Sequence, residues 1–169
     1  MNEINPLKQY FRRPAMYLKL PSGNNFYNET IVNYPPNGEL PIFPMTAIDE
    51  VTSRTPDALY NGIAVAELIT SCVPNILAPW EISSIDIDAI LVAIRAASVG
   101  SEMDIETTCP SCEEQSKFGL NLMSLLGGIK MADYNEPIVM GELSIKLRPL
   151  SLKELNSSNQ IQFEIQRTI

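Results

Sequence analysis

The chain has no histidine and only three cysteines among its 169 residues. Without an imidazole there is no Ser–His or Cys–His pair for nucleophilic catalysis, and no nitrogen ligand for a metal. Cys72, Cys109 and Cys112 are an odd number, so they do not form a complete disulfide framework. Glycine is sparse at eight residues, and no glycine-rich phosphate loop is built from it. Gly127-Gly128 follows Leu125-Leu126 and reads as the end of a helical turn. No uninterrupted apolar run approaches the length of a membrane span, so none is expected. Pro6, Lys8, Arg12 and Arg13 interrupt the amino end, which therefore lacks a secretory apolar core. Folding in a reducing cytoplasm is expected.

Positive charge is also scarce. Twelve Lys and Arg stand against 20 Asp and Glu, for a net charge of -8. General nucleic-acid binding needs a basic surface to displace counterions, so it is excluded as an expectation. Carboxylates abound, but no local spacing selects two of them for acid–base work, and no catalytic residue is nominated. The few cations are unevenly placed: Lys8, Arg12, Arg13 and Lys19 share the first 20 residues with a single acid, Glu3. A basic head on an acidic body suits assembly with oppositely charged partners, while the acidity alone also serves solubility.

A hydrophobic content of 45% and this length suffice for one domain with a real core, and 13 prolines mark an extended, loop-rich design. Asn5-Pro6 is a helix start, predicting a short helix to about Arg13 with Leu7, Tyr10 and Phe11 on one face and Lys8 and Arg12 on another. A strand follows, with Met16, Leu18 and Leu20 on one side, then the turn Pro21-Ser22-Gly23. Residues 26–45 carry four prolines and read as an extended arm or two short strands, near 29–34 and 39–45.

Thr46 with Asp49 resembles a capping box and opens a helix over about 46–54. Asn61-Gly62 begins the next, about 61–73, where Ala64, Leu68 and Cys72 lie four apart and Val65 and Ile69 widen the face. Cys72 is read as a buried, inert thiol. The clearest helix starts at Ser83 or Ser84 and ends at Gly100, with Ile87, Ile90, Leu91 and Ile94 on one face. Asp86 and Asp88 near its start are read as charges that complement the helix dipole. Residues 103–122 read as a hairpin, a second turns near Met140-Gly141-Glu142, and Ser151 caps a last helix.

Cys109-Pro110-Ser111-Cys112 falls at the first hairpin's turn. Two thiols at this spacing are half of a tetrahedral zinc site. One chain cannot finish it, so the metal reading needs Cys109 and Cys112 from two protomers. A plain knuckle without metal and a thiol-redox pair are the other readings, although redox pairs usually open a helix. Cofactors are thus expected to be none, or zinc shared between protomers.

The stretch from Asn5 to Tyr27 resembles the amino-terminal signature of the baseplate hub and hub-assembly proteins of T4-type contractile-tailed bacteriophages. Residues 38–76, 85–122 and 145–154 are similar to later segments of that family, in the expected order, so the likeness covers most of the chain. By this resemblance Leu20, Pro21, Ser22, Gly23, Phe26 and Tyr27 form the signature turn. Asp49, Glu50, Asn61 and Gly62 mark the helical segment, and Cys109 and Cys112 are the knuckle pair. Family members extend further at the carboxyl end than Ile169.

The resemblance implies a non-enzymatic structural or assembly component of the central baseplate hub, made in the host cytoplasm and placed in the virion tail. It would act through contacts with other baseplate and hub proteins, or as a homo-oligomer. The alternatives are a small zinc-binding or thiol-redox protein and a transient assembly chaperone absent from the finished virion. The residues expected to meet partners are Tyr10, Phe11, Arg12, Arg13, Lys19, Phe26 and Tyr27. The expected fold class is α+β, a central helical group with two β-hairpins and an extended N-terminal arm. The expected divisions are 1–45 (head helix and arm), 46–100 (helices), 101–150 (hairpins) and 151–169 (last helix), with 46–169 as one domain.

Overall fold

A computed structural model describes residues 12–24, 26–55, 62–131, 134 and 136–168. Its elements are α+β, with three separate two-stranded antiparallel sheets. Strand β1 (Met16–Leu18) pairs with β2 (Leu40–Ile42), with Leu18 opposite Leu40. The predicted head helix lies mostly outside the described residues. Its last residues, Arg12 and Arg13, are not helical, because Pro14 disfavours helical backbone in the residue before it. The strand expected near 29–34 reduces to one bridge, Val32 to Ile76. Asn33 and Leu77 add backbone bonds to this bridge, from Asn33 N to Asn75 O (2.8 Å) and from Leu77 N to Ile31 O (2.8 Å). The proline-rich segment is therefore extended and packed. It gives Tyr27, Val32, Leu40 and Ile42 to the core, beside Leu18 and Leu20 from β1 and the residues after it.

Helix α1 (Ala47–Ser53) starts at the expected capping box: Asp49 N–H bonds to Thr46 Oγ1, and Thr46 N–H to Asp49 Oδ2. Helix α2 (Ile63–Cys72) follows Gly62, and its buried side chains are Ala64, Ala66, Ile69 and Cys72. The face is rotated from the expected one, since Leu68 and Val65 are only partly buried. A 3-10 turn (Pro79–Glu81) leads into α3 (Ser84–Val99), which ends at Gly100 as expected. Helix α3 is the spine of the core: it touches β1, β2 and α2 and fully buries Ile90. Burying one isoleucine contributes ~1.5–3 kcal/mol.

Beyond α3 the chain changes character. Strands β3 (Glu102–Thr108) and β4 (Gln115–Asn121) form the first expected hairpin, in register from Glu102–Asn121 to Thr108–Gln115. Asn121 caps the short helix α4 (Leu122–Gly128). Strands β5 (Ile138–Met140) and β6 (Leu143–Ile145) form the second expected hairpin, around a two-residue loop that Gly141 opens at φ 63°. Helix α5 (Leu152–Thr168) closes the described chain. A short antiparallel bridge ties its start to that of α3, from Ser84 N to Leu150 O (2.9 Å) and from Leu152 N to Ile82 O (2.8 Å). Among the described residues after Gly100, only Leu122 and Leu152 are buried.

Candidate functional site

Leu20-Pro21-Ser22-Gly23 closes a β-turn, with Gly23 N–H bonded to Leu20 O at 3.0 Å. Pro21 sets the first central angle, and Gly23 accepts φ 79°, which a side chain would resist. Asp86, wholly buried in the first turn of α3, holds this turn in place. Its Oδ1 accepts Ser22 N–H at 3.0 Å. Its Oδ2 accepts the Tyr27 hydroxyl and, at 2.9 Å, the Ser83 hydroxyl. The Tyr27 oxygen in turn accepts Ser83 N–H at 2.8 Å. A buried carboxylate survives when its lone pairs are filled in this way.

Burial, reinforced by the bond to Asp86, pushes the Tyr27 hydroxyl above its ordinary pKa. Burial and the Asp86 charge push Tyr34 up to about 12. Tyr34 donates to Gly23 O at 3.2 Å, so both tyrosines brace the turn as neutral donors. Asp86 therefore does more than complement the helix dipole: it holds a turn 64 residues away, and its one local signal in the sequence is the Ser83-x-x-Asp86 spacing.

A second polar node forms around Arg12. Its guanidinium donates to Ser71 Oγ (3.1 Å) and Cys72 Sγ (3.0 Å), lies 3.9 Å from Asp49 Oδ2, and stacks 5.7 Å from the Phe43 ring centre. Burial works to raise the Asp49 pKa, but hydrogen bonds from Thr46 and Ser71, with the Arg12 charge, hold it below the usual carboxylate range. Cys72 is fully buried, and desolvation raises its thiol against the opposing Arg12 charge. This chemistry makes Cys72 an inert core thiol.

The knuckle sits between β3 and β4. Cys109 N–H bonds to Glu114 O and Glu113 N–H to Cys109 O, both at 2.9 Å. The sulfur of Cys109 accepts the backbone N–H groups of Cys112 and Ser111, which lowers its thiol pKa. Glu113 stands at φ 58°, alone among the described non-glycine residues in the left-handed region. Cys112 is exposed and Cys109 half-exposed, and both are free thiols. No cluster of three or more metal-ligating side chains occurs among the described residues.

The largest unsatisfied feature is apolar. All six residues of β5 and β6 are exposed, with Val139 and Leu143 more than two-thirds so. Ile161, Phe163 and Ile165 on α5 are exposed too. A groove of about 830 Å³ beside α5 is lined by Phe26, Tyr27, Ile31, Arg148, Glu154 and Ile161. At the start of α5 an ion pair and capping box lock the helix: Arg148 binds Glu154, while Ser151 and Glu154 exchange cap bonds. The Arg148 bond, with Ser151 N–H, brings the Glu154 carboxyl down to about 2.

The predicted partner residues are therefore scattered. Arg12 and Tyr27 are committed to internal contacts. Arg13 is exposed, Lys19 is exposed 3.8 Å from Glu39, and Phe26 is exposed with its ring edge-to-face on Tyr27. Tyr10 and Phe11 lie outside the described residues. The exposed hairpin β5–β6 and the face of α5 carry none of the expected partner residues, although the apolar run Ile138-Val139-Met140 and the spacing of Ile161 and Ile165 mark them in the sequence.

No helix among the described residues is long and apolar enough to cross a membrane. Residues 16–168 match the family model described as T4 bacteriophage base plate protein. No curated protein and no solved structure matches the chain.

Proposed function

The chain belongs to the T4 bacteriophage base plate protein family, and from that premise we propose that it is a non-enzymatic component of the central hub of a contractile tail baseplate, working through protein–protein contacts. The observation that carries this reading is the distribution of burial. Residues 12–100 form the core, while the elements after Gly100 bury only Leu122 and Leu152 among the described residues. A lone two-stranded hairpin is marginal in water, and large contiguous apolar surface on a soluble chain marks an interaction site. Strands β5 and β6 present such a surface, and their outer edges carry unpaired backbone groups that another strand can extend. Covering each large side chain contributes ~1.5–3 kcal/mol, so a few of them suffice for a stable contact.

The partners in this reading are other baseplate and hub proteins, and the place of action is the virion tail. The test is complementation with the Val139→Glu, Leu143→Glu double variant. Tails are expected to stop at an incomplete baseplate, while the isolated variant keeps its circular dichroism and melting behaviour. Normal baseplates from the variant would overturn the docking role. Mass spectrometry of purified tails tests permanence: a chain needed for assembly but missing from finished tails is a transient chaperone instead.

A further inference from the structure

We infer that Cys109 and Cys112 are a reversible dithiol–disulfide pair within one chain, with Cys109 as the sulfur that exchanges first and Cys112 as the thiol that resolves it. The backbone places them for this. Glu113 N–H bonds to Cys109 O and Cys109 N–H to Glu114 O, both at 2.9 Å, so the hairpin tip is one closed helical turn. Residues three apart in such a turn are neighbours at roughly 5–6 Å, the spacing that a disulfide bridges without moving the backbone. Glu113, at φ 58°, then turns the chain toward β4. Side chains resist that conformation, so it is kept where the surrounding bonds require it.

The ladder beneath holds the tip. Strands β3 and β4 pair without interruption over seven residues each, with Thr108 opposite Gln115 beside the turn. The fold has therefore already brought the two cysteines together, and closure within the chain outcompetes pairing between chains. Both thiols are free, Cys112 is exposed and Cys109 half-exposed, so a small disulfide reaches them. Cys72 is buried beside Arg12 and takes no part. The N–H groups of Cys112 and Ser111 aim at the Cys109 sulfur and favour its thiolate. A sulfur stabilised as thiolate attacks near neutral pH and also leaves readily, so the bond forms and breaks quickly.

The oxidant is a low-molecular-weight disulfide, such as oxidised glutathione. The Cys109 thiol loses its proton to solvent, and its sulfur attacks one sulfur of that disulfide. A mixed disulfide forms and one glutathione thiolate leaves. Cys112 then loses its proton and attacks the Cys109 sulfur, expelling the second glutathione thiolate. The pair gives up two electrons and two protons, and the oxidant becomes two thiols. Excess reduced glutathione runs both steps backwards. The tip is thus open where thiols prevail and covalently locked where disulfides prevail.

The experiment uses the full chain, fully reduced and then equilibrated with mixtures of reduced and oxidised glutathione. The expected result is a single chain lighter by two hydrogen atoms, with peptide mapping placing the new bond between Cys109 and Cys112 and leaving Cys72 a free thiol. Excess reduced glutathione is expected to restore both thiols. Cys112→Ser is expected to stop at a glutathione adduct on Cys109, with an unchanged circular dichroism spectrum. Iodoacetamide near neutral pH is expected to label Cys109 in Cys112→Ser roughly three- to ten-fold faster than Cys112 in Cys109→Ser. Equal labelling rates would overturn the assignment of the first sulfur. Disulfides that join two chains, a glutathione adduct that persists on the parent chain, or thiols that stay reduced in excess oxidised glutathione would overturn the pair itself.

Discussion

Tyr27 donates its phenolic proton to Asp86 across 59 residues of sequence, inside the core. That bond joins the signature turn to the first turn of α3, and Ser22 and Ser83 complete the same node. Tyr27→Phe removes a donor to a buried carboxylate and an acceptor for Ser83 N–H. The expected loss is ~1–3 kcal/mol of unfolding free energy, read by urea denaturation. Asp86→Ala strands three donors and is expected to cost at least as much. A Tyr27→Phe variant as stable as the parent would mean that the turn is held by packing alone.

Asp49 makes part of the stability acid-sensitive. Its carboxyl is held below the usual range in the folded chain, so the unfolded chain binds more protons near that range. The stabilisation is present above the unfolded value of about 3.9 and is lost as pH falls through the lower folded value. Asp49→Asn is expected to lower stability at neutral pH and to flatten its decline between about pH 4 and the folded value, as followed by thermal melts across pH. An unchanged slope would assign the acid sensitivity to other carboxylates, Glu154 first, which is also held low.

Arg12 and Arg13 are neighbours in sequence with different roles. Arg12 is tied to Ser71, Cys72 and Asp49, whereas Arg13 is exposed. Arg12→Ala is expected to destabilise by ~1.5–3 kcal/mol, the range for hydrogen bonds to charged groups. Arg13→Glu is expected to stay within ~0.5 kcal/mol, and is therefore the clean probe of charge steering in partner association. Equal stability losses from the two would show that the Arg12 contacts contribute little.

The face of α5 separates docking from folding. Ile161→Ser with Ile165→Ser is expected to leave the melting temperature of the isolated chain nearly unchanged, because both side chains already face water. Ile90→Ala, in the core on α3, is expected to cost ~2–5 kcal/mol by opening a cavity. If the α5 pair melted the chain as strongly as Ile90→Ala, that face would be part of the fold rather than a surface for partners.

Much of the local structure was legible because its causes lie within a few residues of one another. The boxes Thr46–Asp49 and Ser151–Glu154, the Ser83 cap of α3 and the Gly100 stop all appear where capping chemistry places them. Both hairpins appear with their turns at the expected residues. The rotation of the α2 face was not legible. Leu68 and Ala66 are both apolar, and the choice between them falls to what α2 packs against. The segment near 29–34 has the pattern of a strand, yet it meets only residues 75–77 and forms a single bridge.

By itself the sequence determined the caps, the turns, the helix and strand periods and the absence of imidazole chemistry. Each depends on side chains and backbone within one or two turns of each other. Only the tertiary structure decided that Asp86 would hold Tyr27, that Arg12 would be anchored beside Cys72, and that β5, β6 and one face of α5 would remain uncovered. Apolar pattern specifies which side of an element avoids water, but the arrival of a second surface to cover that side depends on how distant segments pack.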